Sequence, residues 1–199
     1  MVDIDNYIKK IKDPLSWFEH YRQQKLIADI LFEKLISKEQ LLKTKQDIQN
    51  SDFTTIFVNA HYHWGIAIEN GFKGLIAKYN PEKIEFEIKG VHISLKNIGG
   101  KAGKTHNLAQ LAEVVGIFDT NRKNCYPEID FESLKQVLLH LSDMIKWGAR
   151  YPISNNTATI FKLNKKTPLT LVYGFHIFDI LQPLFEYIES EIEQSRKIN

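Results

Sequence analysis

The feature that most constrains the fold is the long stretch from Leu15 to Asn50, which contains neither glycine nor proline. Apolar residues recur along this stretch at the three- and four-residue spacing of one helix face. Asp13 and Pro14 precede it, and they are typical of an N-cap and a first helical residue. The stretch therefore predicts one long helix, or two helices separated near Ser37, and a mainly α protein.

A second long helix is predicted from Phe53 to Tyr79, after a cap at Ser51-Asp52 and before the break at Asn80-Pro81. The segment contains Gly65, Gly71 and Gly74, and each glycine costs up to about 1 kcal/mol in a helix interior. Three such glycines in one helix favour close packing against a neighbouring helix.

The apolar pattern then changes to strict alternation. Ile84, Phe86 and Ile88 alternate with charged residues, and Val91, Ile93 and Leu95 alternate after Lys89-Gly90, which is typical of a β-hairpin. Residues 99–104 follow as a predicted flexible loop. This loop contains glycines and lysines, but it lacks the spacing of a phosphate-binding loop, so we expect no cofactor.

Three further helices are predicted after the hairpin. Thr105 or Asn107 can cap a short helix that ends near Gly116, and Asp130 can cap a longer one. The last helix is predicted from about residue 170 to residue 196, with a kink near Pro183.

These elements predict a mainly α fold, an up-and-down helical bundle with a small β-hairpin insertion. A length of 199 residues suits one domain. Within it, we expect residues 1–50 to form a helical extension and residues 82–103 to form the inserted hairpin and loop.

Composition favours a cytoplasmic protein. A single cysteine, Cys125, excludes an internal disulfide framework and fits a reducing compartment. The first residues are acidic and polar, unlike a signal peptide, and no apolar run is long enough to span a bilayer. We therefore expect no membrane association.

Charge is unevenly distributed although the formal net charge is only +2. Residues 88–112 and 144–178 contain no acidic residue. If these two stretches share one face, that face is positive and attracts phosphate groups. Alternatively, they are two solvated loops. The candidate ligand-binding residues within these stretches are the basic residues Lys101, Lys104, Arg150, Lys162, Lys165 and Lys166.

Three short segments carry the remaining signal. Glu69 and Lys73 have the i, i+4 spacing of a helix salt bridge, worth about 0.3–0.5 kcal/mol. His106 lies just before a predicted helix start, where unpaired backbone N–H groups favour the binding of anions. Alternatively, His106 acts only as the cap of that helix. Arg150 follows a predicted helix end, and its guanidinium can bind a carbonyl or a phosphate.

Together these segments resemble the HEPN family (higher eukaryotes and prokaryotes nucleotide-binding) over roughly Phe53 to Glu193. Glu69 and Lys73 match the acidic and basic residues of one family helix. Thr105-His106-Asn107-Leu108 is similar to the family's Gly-His-Asp-Leu. The resemblance implies a helical bundle that pairs into a homodimer, with the Phe53–Tyr79 helix or the aromatic last helix as dimer faces, unless those faces are core.

The resemblance also implies a function, for which three hypotheses stand. The first is a catalytically degenerate module that binds RNA, a nucleotide or a partner protein, using Lys73 and His106 with the basic residues above, in a bacterial defence or toxin–antitoxin setting. The second is a divergent, metal-independent ribonuclease in which Arg150 stabilises phosphate charge and His106 or His176 is the general acid/base. The third is a structural oligomerising protein.

One departure from the family pattern favours the first hypothesis. Family ribonucleases carry an arginine followed four to six residues later by histidine, and no arginine here has such a histidine. Other chemistries are less favoured still. His61 and His63 lie two residues apart on a helix, so they face different directions and predict no metal site. Cys125 has no local base signature.

Overall fold

A computed structural model describes residues 4–39, 52–89, 92–104, 106–119, 130–148 and 176–198. Two strands, β1 (Ile84–Lys89) and β2 (His92–Ile98), accompany the helices, so the prediction of a mainly α protein with a small hairpin is confirmed. A 3₁₀ turn (Pro81–Lys83) precedes β1, and a π-helical turn (Met144–Gly148) follows the helix at Phe131–Asp143. The helices are α1 (Ile4–Lys12), α2 (Pro14–Glu39), α3 (Phe53–Tyr79), α4 (Lys101–Lys104), α5 (Leu108–Val114), α6 (Phe131–Asp143) and α7 (His176–Ile198).

The core is one cluster formed by α2, α3, α5, α6 and α7, and its aromatic part lies between α2, α3 and α7. Phe32 of α2 packs on Trp64 of α3 with ring centroids 4.8 Å apart, and on Phe178 of α7 at 5.6 Å. The Trp64 indole N–H donates to the carboxylate of Asp29 at 2.9 Å, which pairs this buried donor with an acceptor. The Phe178 and Phe185 rings of α7 both lie against Trp64. The aromatic side of α7 is therefore core.

The glycines of α3 allow the close helix contacts that the sequence predicts. A Cβ at Gly74 would overlap the Phe18 ring, and a Cβ at Gly71 would lie 2.9 Å from Ile188 and 3.2 Å from Tyr21. Since contacts with α2 run from Phe18 at Gly74 to Asp29 at Trp64, α2 and α3 are antiparallel. The face of α3 that the sequence offers for dimerisation is thus occupied by α2 and α7.

The hairpin is fixed to the core at its base. β1 and β2 are antiparallel, with Ile84 opposite Ile98 and an irregularity between Glu85 and Phe86. Ile84 and Ile98 are buried, whereas Ile88 near the tip is exposed. The hairpin therefore projects from the bundle, and its base leads directly to the α4–α5 segment.

The first alternative for the N-terminal stretch, one long helix, is confirmed over the described residues, because α2 continues through Ser37 to Glu39; residues 40–50 lie outside the described chain. Two other details of the helical prediction were wrong. A further helix, α1, precedes Pro14. Asp13 lies at the junction of the two helices: its backbone N–H donates to the Lys9 carbonyl at the end of α1, and its carboxylate accepts from Leu15 N–H at the start of α2. The predicted loop at residues 99–104 contains a helical turn, α4.

Candidate functional site

Two of the three segments that carry the resemblance meet in space. The imidazole Nδ1 of His106 lies 2.9 Å from Glu69 Oε2 and 3.1 Å from Glu69 Oε1. The Lys73 ammonium lies 2.6 Å from Glu69 Oε1, as its i, i+4 spacing predicts. These three residues, termed the Glu69 cluster, join α3 to the start of α5.

Burial differs sharply across the Glu69 cluster. The Glu69 side chain is 4% exposed and that of Lys73 is 16% exposed, whereas the His106 side chain is 39% exposed. Burial alone would raise the pKa of Glu69, but the neighbouring Lys73 ammonium and the hydrogen bonds from Lys73 and His106 hold it below its usual value. Glu69 is therefore an ionised acceptor at neutral pH.

The tautomer of neutral His106 follows from this geometry. A carboxylate only accepts hydrogen bonds, so the Nδ1 of His106 carries the proton that it donates to Glu69. The Nε2 atom of the neutral ring is then a proton acceptor, on the side of the ring away from Glu69. An oriented imidazole of this kind is suited to accept a proton or, when charged, to bind phosphate oxygen.

The backbone at His106 is held in an unusual conformation. Its φ is +51°, and it is the only described non-glycine residue with a positive φ. The left-handed region costs about 1–2 kcal/mol for most L-residues. The chain reverses here between α4 and α5, where Asn107 N–H donates to Ala102 carbonyl at 3.2 Å. This turn directs the imidazole towards α3.

His106 does not cap α5, contrary to one interpretation of the sequence. Asn107 is the cap, since its Oδ1 accepts from Gln110 N–H at 3.1 Å. The Leu108 N–H donates at 2.9 Å to the buried hydroxyl of Ser142 on α6. The backbone N–H groups of Leu108 and Gln110 therefore already have protein acceptors. For these two groups, the expectation of unpaired N–H groups at this helix start was wrong.

Trp17 completes the surroundings of Lys73. The Lys73 ammonium lies 5.3 Å from the centroid of the Trp17 ring, within the range of a cation–π interaction. The Trp17 indole N–H donates to the Ile11 carbonyl at 2.7 Å, which fixes the ring beside α1. Lys73, predicted as a ligand-binding residue, is thus engaged by Glu69 and Trp17.

The remaining predicted site residues fall into two groups. Lys101 and Lys104 are exposed on α4, close in the chain to His106. Arg150, Lys162, Lys165 and Lys166 lie outside the described residues, as does Cys125, and His176 is the first residue of α7. Of the basic candidates, the structure thus describes only Lys73, Lys101 and Lys104.

A second histidine pair lies elsewhere in the molecule. The Nδ1 atom of fully buried His61 on α3 lies 2.9 Å from Nε2 of His140 on α6, and its own Nε2 has no hydrogen-bond partner among the described residues. Burial lowers the pKa of both rings, that of His140 to about 4, and the neighbouring His140 lowers that of His61 further. This contact has no signature in the sequence, because 79 residues separate the two histidines.

Comparisons with known proteins found no match among protein-family models, curated proteins or solved structures. Within the described ranges, no three His, Cys, Asp or Glu side chains are grouped so as to hold a metal ion. No helix in the part of the chain that the structure describes is long and apolar enough to cross a membrane.

Proposed function

We propose that this chain is a HEPN-like cytoplasmic module that binds RNA or a nucleotide through its phosphate groups, beside His106, in a bacterial defence or toxin–antitoxin setting. The observation that carries the proposal is the contact between Glu69 and His106. Both residues belong to the motifs on which the resemblance rests, and they are 37 residues apart in the chain.

Charge favours a phosphate ligand at this surface. Glu69 is buried and neutralised by Lys73, so its charge is largely hidden from a ligand. Lys101 and Lys104 are exposed, and no acidic residue occurs between residues 88 and 112. An approaching phosphate thus meets two ammonium groups and the His106 ring, and it binds them with release of counterions.

The binding proposal is tested with labelled single-stranded RNA at increasing salt, followed by fluorescence anisotropy. We expect affinity to fall with salt, and Lys101→Ala/Lys104→Ala to bind several-fold more weakly than the wild type. If both lysines contact phosphates, the slope of log K against log salt decreases by roughly 1.4.

A matched control removes two lysines from the hairpin instead. Lys89→Ala/Lys96→Ala changes net charge equally, and its two lysines lie on β1 and β2 rather than on α4. It is expected to bind like the wild type. Equal weakening in the two double variants would indicate non-specific attraction and contradict a site beside His106.

One observation also favours the divergent ribonuclease as a second function. Glu69 orients His106 so that Nε2 of the neutral ring remains a proton acceptor, as a general base requires. In this scheme His106 accepts the proton of the attacking hydroxyl and Arg150 stabilises charge on the phosphate.

The second function predicts RNA cleavage that persists in EDTA. Cleavage should fall by about 100-fold or more in His106→Gln, since general acid/base catalysis contributes about 10²–10⁴-fold. Arg150→Ala tests the phosphate role separately. Salt-sensitive RNA binding without any cleavage would support the binding module and contradict the ribonuclease.

A further inference from the structure

The outward face of α2 carries adjoining apolar side chains that are exposed in the part of the chain that the structure describes. Leu26 is 62% exposed, Ile27 is 40% exposed and Ile30 is 56% exposed. The opposite face of the same helix buries Phe18 and Tyr21 in the core. Single exposed leucines are common on soluble proteins, but a contiguous apolar patch marks a contact surface.

The residues around this patch follow a regular pattern. The outward positions recur at alternating three- and four-residue intervals, which is the spacing of a seam between two paired helices. The apolar pair Leu26 and Ile30 lies at the centre, and polar residues lie at both ends. This set, termed the α2 seam, comprises Glu19, Gln23, Leu26, Ile30, Glu33 and Ser37, all of them exposed.

The α2 seam is complementary to a second copy of itself in the antiparallel orientation. Placing Leu26 opposite Ile30 of the second copy places Gln23 opposite its Glu33. It also places Glu19 opposite its Ser37. An amide or a hydroxyl can donate to a carboxylate in each of these polar layers.

The parallel orientation is disfavoured by charge. There each seam residue meets its own copy, so Glu19 lies against a second Glu19 and Glu33 against a second Glu33. Like charges directly opposite one another are destabilising. Like-charge repulsion thus disfavours the parallel direction, and the polar layers favour the antiparallel one.

We propose that the α2 seam is a two-fold symmetric, antiparallel interface between two copies of this chain. Over residues 19–37 the seam is about 27 Å long at roughly 1.5 Å per residue. One helix pair of that length buries less than the roughly 1,200–2,000 Å² of a standard stable interface. The dimer is therefore concentration-dependent. The proposal is independent of RNA binding.

Sedimentation equilibrium over a range of protein concentrations tests the association. The wild type is expected to shift from monomer to dimer as concentration rises, and Leu26→Ser/Ile30→Ser to stay monomeric. Ile88→Ser is the matched control, because Ile88 is 63% exposed but lies on the hairpin. It should dimerise like the wild type, and circular dichroism checks that each variant is folded.

Cysteine cross-linking tests the direction of pairing in a Cys125→Ser background. Ile27 flanks the seam close to the two-fold axis, so Ile27→Cys is expected to form a disulfide-linked dimer. Gln23→Cys alone should not link, whereas a mixture of Gln23→Cys and Glu33→Cys should. A wild type that is monomeric at every concentration, a dimer retained by Leu26→Ser/Ile30→Ser, or linkage of Gln23→Cys to itself overturns the proposal.

Discussion

At the scale of single residues, Glu69 is the group whose removal has the largest expected consequence. Its buried carboxylate accepts from both Lys73 and His106, so it compensates the burial of Lys73 and fixes the His106 ring. Glu69→Ala leaves Lys73 buried without its partner. Breaking a buried ion pair costs about 3–5 kcal/mol, and the partial exposure of Lys73 places the expected loss near the lower limit, about 3 kcal/mol.

Urea unfolding of Glu69→Ala measures this loss. Glu113→Ala is the control, because Glu113 pairs with Lys135 at 3.1 Å on the surface, where such pairs contribute about 0–1 kcal/mol. Because the pKa of Glu69 is lowered by folding, its contribution is present above its usual pKa of 4.5 and is lost as pH falls further. Equal destabilisation by the two variants would contradict the special role of Glu69.

The His106 contact also shows where prediction from sequence ends at this scale. The Glu69–Lys73 pair was predictable, since i, i+4 residues on a helix are neighbours wherever that helix packs. The approach of His106 depends on the hydrogen bond from Asn107 N–H to the Ala102 carbonyl and on that from Leu108 N–H to Ser142. Neither of these two bonds has a local signature, although the cap at Asn107 does.

At the scale of elements, the contact between α3 and α6 contains the His61–His140 pair. Both pKa values are lowered by burial, so the folded protein binds fewer protons than the unfolded chain. The free energy of unfolding is therefore greatest above the ordinary histidine pKa of 6.5, and it falls as pH drops from there towards 4. Each of the two histidines contributes up to about 1.4 kcal/mol per pH unit to the slope of the free energy of unfolding against pH.

Thermal unfolding of the wild type and of His61→Phe between pH 7.5 and 5 checks this slope. The phenyl ring retains an aromatic side chain beside Phe57, whose ring centroid lies 4.0 Å from that of His61, so the variant is expected to fold. It should lose the share of the slope that His61 contributes and keep the share of His140, whose pKa is lowered by its own burial. His92→Gln alters an exposed histidine of the hairpin and should retain the wild-type slope. Unchanged pH dependence in His61→Phe would exclude a contribution of His61 to the slope.

The helices themselves were largely predictable, because their signals are local. The bounds of α3 and the caps at Asp130 and Asn107 follow from turn residues and apolar spacing within a few positions. α1 was missed because nine residues give too short a pattern to stand out. α4 was missed because its sequence, Lys-Ala-Gly-Lys, contains a glycine and follows two others.

At the scale of the whole molecule, the two proposed interfaces differ in their dominant force. RNA binding beside His106 depends on ammonium groups and phosphates, so added salt weakens it. The α2 seam is apolar at its centre, and burial of apolar surface is not weakened by screening. Raising the salt concentration should therefore distinguish the two interfaces, because RNA should dissociate while the dimer persists.

Sedimentation and anisotropy in the same salt series measure both equilibria on one preparation. We expect the RNA affinity to fall steeply and the dimer dissociation constant to change by less than about threefold, because the polar layers of the seam pair neutral groups with carboxylates rather than opposite charges. Leu26→Ser/Ile30→Ser should retain the wild-type affinity for a short RNA, since Leu26 and Ile30 lie outside the Glu69 cluster. A dimer that dissociates with salt as steeply as the RNA does would show that charge holds the two copies together, and would contradict the apolar seam.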